Sequence, residues 1–155
     1  MPFVTRRFRP IGDTDSEHAF CALLERLTPL WDVGVPALEE RLAAVAAYAA
    51  ELRELGPANF VYTDGDALFA HGHRRMNASG SIEPPGLYLL CRRCSATADG
   101  IDLTGITVEH HAEQQVALVA SVPLSSEGWE ALTEGEVVAL RDGRLVLRTG
   151  ATQPA

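Results

Sequence analysis

The organisation of this chain starts from one stretch near its beginning, Phe8-Arg9-Pro10-Ile11-Gly12-Asp13-Thr14-Asp15-Ser16-Glu17. Pro10 and Gly12 interrupt regular backbone, and Thr14 then precedes Glu17 by three residues. This is the spacing of a capping box, in which the threonine hydroxyl accepts the amide of Glu17 and the glutamate carboxylate accepts the amide of Thr14. The stretch therefore predicts a turn followed by a helix that begins at Thr14.

Asp15 occupies the first helical position in this pattern. Unpaired amides and the positive end of the helix dipole favour an ionised carboxylate at that position. Local pattern by itself favours a well-capped helix with an acidic first turn. The alternative interpretation is that Asp15 is a fixed anion at the mouth of a pocket, where it is available to an ammonium group.

Apolar residues recur at helical spacing in two segments. The first segment covers 14–27 and is followed by a connector at 28–34. The second begins at Pro36, where the missing amide hydrogen costs nothing, and it ends before Gly56-Pro57. Both segments are predicted to be amphipathic helices.

After the second helix the pattern changes to short strands with turn signals between them. Asp64-Gly65 and Asp142-Gly143 are two-residue hairpin signals, and the apolar run 115–122 predicts a central strand buried on both faces. The strands are predicted at 59–63, 66–71, 86–91, 115–122, 135–140 and 144–148, with 106–109 as a further candidate and 74–85 as a loop. The order predicts an α+β fold, two N-terminal helices followed by a mainly antiparallel sheet.

Composition limits the possible functions. The 155 residues are expected to form a single domain, with 1–13 as an irregular lead-in and 149–155 as a frayed tail. The net charge of −8 argues against nucleic acid as a partner. No apolar run reaches membrane-spanning length, and residues 1–7 lack the apolar core that a signal peptide is expected to have. Three cysteines cannot all pair with one another, so we expect reduced thiols and a cytoplasmic location.

Several segments, spread over nearly the whole chain, are similar to those of one family. They are the stretch from Arg7 to Cys21, then Asn59-Phe60-Val61-Tyr62-Thr63-Asp64-Gly65, then Ala67-Leu68-Phe69-Ala70, and finally the run from Val116 to Leu124 with Gly128-Trp129 and Gly135-Glu136. In this order they resemble the class II glutamine amidotransferases, and among these the stand-alone bacterial YafJ-like branch.

The resemblance implies a fold and a ligand. Class II amidotransferases have the four-layer αββα sandwich of N-terminal-nucleophile (Ntn) hydrolases, and this chain resembles the later part of it. In the family, the aspartate of a (Thr/Ser)-Asp-(Ser/Thr)-Glu motif holds the α-amino group of glutamine. The matching position is Asp15, which is therefore the predicted substrate-binding residue.

The catalytic groups of the family have no match in this sequence. The family uses an N-terminal cysteine exposed by methionine removal, an Asn-Gly pair for the oxyanion, and an Arg-rich segment for the glutamine carboxylate. Position 2 is Pro2, and the two asparagines, Asn59 and Asn77, are not followed by glycine. We therefore assign no catalytic residue and expect a C-terminal portion that is inactive alone. The alternative is a non-catalytic binding or scaffold module, or half of a split enzyme, with a homodimer or partner chain covering an exposed sheet face.

Other cysteines and histidines permit a further hypothesis. Cys91 and Cys94 have the spacing of a metal knuckle, and His71 and His73 lie upstream, so a Cys₂His₂ zinc site is conceivable. The two histidines lack the spacing typical of paired helical ligands, and the family implies no such ligands. We therefore expect no metal and no cofactor, and we expect His110-His111 to be a solvated surface.

Overall fold

The computed structural model describes residues 6–94, 101–103, 106–108 and 114–149, with backbone alone at 94, 101–103 and 106–108. Two helices come first, α1 (Asp15–Trp31) and α2 (Leu38–Arg53). The strands that follow in the described residues are β1 (Phe60–Thr63), β2 (Leu68–His71), β3 (Arg75–Met76), β4 (Ile82–Glu83), β5 (Tyr88–Cys94), β6 (Ile101–Leu103), β7 (Ile106–Val108), β8 (Gln114–Ala120), β9 (Glu130–Ala131), β10 (Val137–Arg141) and β11 (Arg144–Arg148).

Two sheets carry the fold. A four-stranded sheet has the order β1-β2-β10-β11, and a three-stranded sheet has the order β8-β5-β9. Two hairpins, β3-β4 and β6-β7, complete the described strands, and every strand pair is antiparallel. Helix α1 packs on α2, and α2 lies on the four-stranded sheet. The predicted α+β fold, two helices followed by antiparallel sheets, is confirmed.

The two central strands of the four-stranded sheet, β2 and β10, are buried on both faces. Phe69 and Ala70 are neighbours in β2, so they point to opposite faces, and both are fully buried. Phe69 belongs to the core under the helices, whereas Ala70 packs with Leu89 of the three-stranded sheet. In β10, likewise, Ala139 belongs to the core under the helices, and Val138 packs in the core between the two sheets. The helix pair, the four-stranded sheet and the three-stranded sheet are therefore three successive layers.

One charged side chain is buried between the helices and the sheet. Arg41 of α2 is 3% exposed, and its guanidinium donates to Asp64 and Asp66, each at 2.8 Å. Asp64 is as buried as Arg41, whereas Asp66 is half exposed and also binds Arg141. This network ties α2 to the loop between β1 and β2. The helical spacing of the apolar residues does not indicate this burial, because Arg41 lies outside the apolar stripe of α2.

The helix bounds differ from the predicted ones. Helix α1 continues through Pro29 to Trp31, where a connector was predicted. Pro29 lies in the last turn and removes only one helical hydrogen bond, and Leu30 still packs against the core. Helix α2 begins at Leu38 rather than at Pro36, and the side chain of Glu40 accepts the amide of Ala37. Neither helix has the length and apolar character needed to cross a membrane, among the residues described.

The strand predictions were partly wrong. Strand β8 was expected to be central and buried on both faces, but β5 is its partner on one side and no described strand pairs on the other. Its side chains from Gln115 to Ala120 are half-buried, since a sheet edge leaves them partly open to solvent. The predicted loop 74–85 contains the small hairpin β3-β4.

The two hairpin signals had different outcomes. Arg141 pairs with Arg144 across Asp142-Gly143, and both turn residues have positive φ, 51° and 69°, so the two-residue turn is confirmed. Between β1 and β2, however, Thr63 pairs with Leu68, which leaves four loop residues instead of two. The carboxylate of Asp64 accepts the amides of Asp66 and Ala67, and this bonding stabilises the longer loop.

Candidate functional site

Asp15 lies at the exposed N-terminus of α1, as the first residue of the helix. Its Oδ1 accepts the amide of Ser16 at 2.8 Å and the Ser16 hydroxyl at 3.4 Å. Asp15 forms no ion pair with any described arginine or histidine. The negative charge is thus held in place by the helix and is available to an added cation.

The residues before Asp15 hold the helix end in a variation of the predicted capping box. Thr14 is the N-cap, and its Oγ1 accepts the amide of Glu17 at 3.3 Å, as predicted. The carboxylate of Glu17 accepts the amides of Ile11 and Gly12, at 2.5 and 2.8 Å, rather than the amide of Thr14. These backbone amides lower the pKa of Glu17. The prediction for the glutamate was therefore wrong in its partner, because Pro10 and Gly12 fold the preceding backbone over the helix end.

A cleft of about 410 Å³ opens beside Asp15. Helix α1 forms one wall, the end of α2 forms the second, and the segment leading into β1 forms the third. Most of the lining is apolar, and Asp15, Ser16 and Asn59 lie among the polar groups. The lining residues are Asp15, Ser16, Ala19, Phe20, Leu23, Tyr48, Leu52, Leu55, Gly56, Pro57, Ala58, Asn59, Phe60, Val61 and Tyr62.

Tyr48 joins two walls of the cleft. Its side chain is 2% exposed, and its hydroxyl donates to the carbonyl of Ala19 at 2.6 Å. Burial raises the pKa of Tyr48 to about 12, so the phenol stays protonated and keeps this donor at neutral pH. The ring also contacts Phe60, with 6.5 Å between ring centroids. Tyr48 therefore fixes α1 and α2 relative to each other and to β1.

The third wall is held by side chains that the sequence analysis did not assign. Asn59 accepts the amide of His73 and donates to the carbonyl of Arg74, both at 2.7 Å. The amide of Ala58 donates to Nδ1 of His73 at 3.3 Å. A Cβ on Gly86 would lie 1.8 Å from Oδ1 of Asn59, so only glycine fits there. The resemblance covered Asn59, but no local spacing indicates partners 14 and 15 residues away.

The histidines of the zinc hypothesis have other partners. Nδ1 of His71 donates to the carbonyl of Glu136 at 3.1 Å, and Nε2 of His73 lies 3.5 Å from Glu134. Burial lowers the pKa of His71 to about 4 and also lowers the pKa of His73, so both are neutral at pH 7. No three metal-binding side chains are grouped among the described residues. The side chain of Cys94 lies outside them, as do residues 110 and 111.

The chemistry of the cleft is that of recognition. A carboxylate at the rim of an apolar cleft suits a ligand with an ammonium group and an aliphatic part. The described residues that line it include no cysteine: Cys21 is buried on α1, and Cys91 is exposed on β5. The described cleft therefore presents a binding group and no nucleophilic thiol.

Comparison with known proteins places this geometry in context. A family model described as class II glutamine amidotransferases matches residues 1–155. The chain is 32% identical over 137 residues to YafJ of Escherichia coli K12, whose name assigns it provisionally to the glutamine amidotransferases. A Haemophilus influenzae Rd protein with the same provisional assignment is 26% identical over 151 residues.

A solved structure with a similar fold carries the same description. The crystal structure of a protein from Pseudomonas aeruginosa PA01, described as a predicted glutamine amidotransferase, superposes with a TM-score of 0.72 at 25% identity and covers 95% of this chain. The chain spans about half of the proteins that it matches: 49% of YafJ, 48% of the Haemophilus protein and 56% of the Pseudomonas chain.

Proposed function

This chain belongs to the class II glutamine amidotransferases, and on that premise we propose that it binds glutamine in the cleft beside Asp15. One observation carries the proposal: the aspartate of the family motif is exposed, lacks an ion-pair partner among the described residues and borders a cleft of about 410 Å³. The α-ammonium group of glutamine would donate to Asp15, and the aliphatic part of the side chain would contact the apolar lining.

The position of Asp15 suits this role physically. Its Oδ1 already accepts the Ser16 amide, so the carboxylate has a fixed orientation before a ligand binds. Thr14 and Glu17 hold the backbone on both sides. A preorganised carboxylate loses little conformational entropy on binding an ammonium group, and such charge-assisted hydrogen bonds are about twice as strong as neutral ones.

We further propose that the nucleophile is contributed from outside these 155 residues. In the family reaction a cysteine thiolate attacks the glutamine amide carbon, ammonia leaves, and water hydrolyses the thioester to glutamate. The chain spans about half of the relatives that it matches, and its sequence contains no Asn-Gly pair. We also propose that the protein is cytoplasmic, because an odd number of cysteines cannot all pair and reduced thiols are expected.

The purified chain is therefore expected to release no ammonia from glutamine. Binding without a thiol beside the amide carbon leaves the barrier to hydrolysis unchanged. A coupled assay with glutamate dehydrogenase measures ammonia directly, and a class II amidotransferase with an intact N-terminal cysteine serves as the positive control. Glutamine-dependent ammonia release that follows the purified chain through chromatography would refute this part of the proposal.

Asp15→Asn is expected to weaken glutamine binding about tenfold or more while the chain stays folded, because it removes the charge that the ammonium group binds. Titration followed by amide NMR shifts at 14–17 measures binding. Asp13→Asn, an equally exposed carboxylate two residues away, is the matched control.

A ligand pair makes this experiment specific. Glutaramic acid lacks the α-amino group, so its weaker binding should be the same in wild type and in Asp15→Asn. Wild-type chain without glutamine-dependent shifts at these amides would contradict the proposal, and so would an equal loss of affinity in Asp13→Asn.

A second candidate function is a non-catalytic binding or scaffold module, or half of a split enzyme, that acts with a partner chain or second copy. Phe20, Leu55 and Val61 line the cleft and are each about half exposed. Strand β1 has β2 on one side and no described strand on the other. Exposed apolar area next to a free strand edge favours association. Sedimentation velocity distinguishes the two candidate functions. The binding or scaffold module requires a stable complex, whereas a monomer that binds glutamine favours the proposal of glutamine binding beside Asp15.

A further inference from the structure

A second cleft lies between the ends of the two sheets and shares no residue with the Asp15 cleft. Its volume is about 650 Å³, and six of its seven lining residues are polar or charged. Three arginines and two glutamines line it, together with one aspartate and one valine: Arg93, Gln114, Gln115, Arg141, Asp142, Arg144 and Val146. The proposed binding of glutamine does not use any of these residues.

The concentration of positive charge in this cleft is unusual for the chain. The net charge is −8, and all 13 basic residues are arginines. Among the described residues, Arg93 and Arg144 have no carboxylate partner, whereas Arg141 binds Asp66. Asp142 lines the cleft but lies beyond ion-pair distance of each described guanidinium. Two exposed guanidiniums are therefore available in the same cleft.

Strand register brings these side chains together. Arg141 and Arg144 are direct cross-strand partners in the β10-β11 hairpin, and Arg93 is the cross-strand partner of Gln115 in the β5-β8 pair. Like charges directly opposite each other in a sheet are destabilising. The ion pair with Asp66 offsets this repulsion at Arg141, so Arg93 and Arg144 are the guanidiniums that a bound anion would neutralise.

The cleft is also built on close backbone packing. Gly143, in the turn between Arg141 and Arg144, approaches β8 so closely that a Cβ would lie 2.1 Å from the carbonyl oxygen of Gln115. Its φ of 69° is the second reason for glycine at this position. The turn therefore fixes the two arginine backbones of one sheet against the glutamines of the other.

We propose that this cleft binds a small phosphate-bearing molecule. Guanidinium groups present paired donors that match phosphate oxygens. The side-chain amide of Gln115, on the same face as its cross-strand partner Arg93, adds a neutral donor. The chain as a whole carries a net charge of −8, which disfavours a nucleic-acid polymer and favours a small anion. The cleft volume of about 650 Å³ leaves room for more than a single phosphate group.

Inorganic pyrophosphate is the probe that tests this proposal, by calorimetry on the full chain at constant ionic strength. Wild type is expected to bind it with one site per chain, more weakly as sodium chloride is raised. The double variant Arg93→Gln/Arg144→Gln is expected to bind about tenfold more weakly or worse, since two charge-assisted contacts are lost. Arg93→Gln alone should show an intermediate loss, which keeps the test informative if the double variant folds poorly.

Arg6→Gln/Arg9→Gln is the matched control, because it removes the same charge from two exposed positions outside the cleft. It should retain wild-type affinity within about twofold. An equal loss in this control would mean that net charge governs binding and would overturn the proposal. The proposal would also be overturned if titrating the wild-type chain with pyrophosphate released no more heat than titrating it with sodium chloride at equal ionic strength.

Discussion

Arg41→Met is expected to destabilise the fold by about 3–5 kcal/mol, the cost of breaking a buried ion pair by removing one partner. Methionine fills much of the arginine volume but cannot donate to Asp64, whose side chain is 5% exposed. The Asp64 carboxylate would then be buried without its counter-ion. The pKa of Asp64 is low in the native protein because backbone amides and Arg41 outweigh its burial. Urea unfolding followed by circular dichroism at pH 7 measures the loss.

Two further variants show whether the buried charge is the cause. Arg26→Met removes an ion pair with Glu51 in which both side chains are about half exposed, and it should cost less than about 1 kcal/mol. Asp64→Asn added to Arg41→Met removes the uncompensated charge and keeps the side-chain oxygen that accepts the Asp66 and Ala67 amides. The double variant should be more stable than Arg41→Met. Equal losses in Arg41→Met and Arg26→Met would contradict this account.

The second large effect is a loss of stability on acidification that comes from His71. Burial lowers its pKa to about 4 in the folded protein, against 6.5 for the model imidazole. Between these values the unfolded chain binds more protons, so stability falls as the pH falls through 6.5 and levels off below 4 for this group. From pH 7 to pH 5 the contribution is about 2 kcal/mol, and it approaches about 3 kcal/mol near pH 4. The lowered pKa of His73 acts in the same direction.

His71→Asn isolates this contribution, because an asparagine amide can still donate to the carbonyl of Glu136 but does not titrate. Unfolding free energies at pH 7, 6 and 5 should fall less steeply in His71→Asn than in wild type. No measurement is made below pH 5, because the lowered pKa values of Asp64, Asp66 and Glu130 affect stability at lower pH. Parallel slopes in wild type and His71→Asn would exclude His71 as the source.

Local signals predicted most of the fold, and non-local contacts account for what was missed. The pair Asp142-Gly143 predicted the turn correctly, because the turn needs two residues that adopt positive φ and this requirement is local. Strand β8 was misplaced because an apolar run does not show whether a second strand pairs beside it. The burial of Arg41 was not predicted, because helical periodicity cannot indicate carboxylates 23 and 25 residues away.

In the candidate site, too, local sequence indicated some features and not others. The motif around Asp15 indicated the residue, and the capped helix end was predictable from Thr14 and Glu17. The hydrogen bond from the His73 amide to the Asn59 side chain depends on β1 and β2 lying side by side. Such a contact exists only once the chain has folded, so no spacing in the sequence indicates it.

The position of β10 at the centre of the four-stranded sheet has a consequence for synthesis on the ribosome. Its neighbour β2 ends at His71, whereas β10 begins at Val137, so the helix pair and the first hairpin emerge long before the strand that covers them. Until then the apolar side chains around Phe69 and Ala70 have no sheet neighbour on that edge. A nascent chain of this kind is a natural client for a ribosome-associated chaperone, because its sheet cannot assemble until residues 137–141 are available.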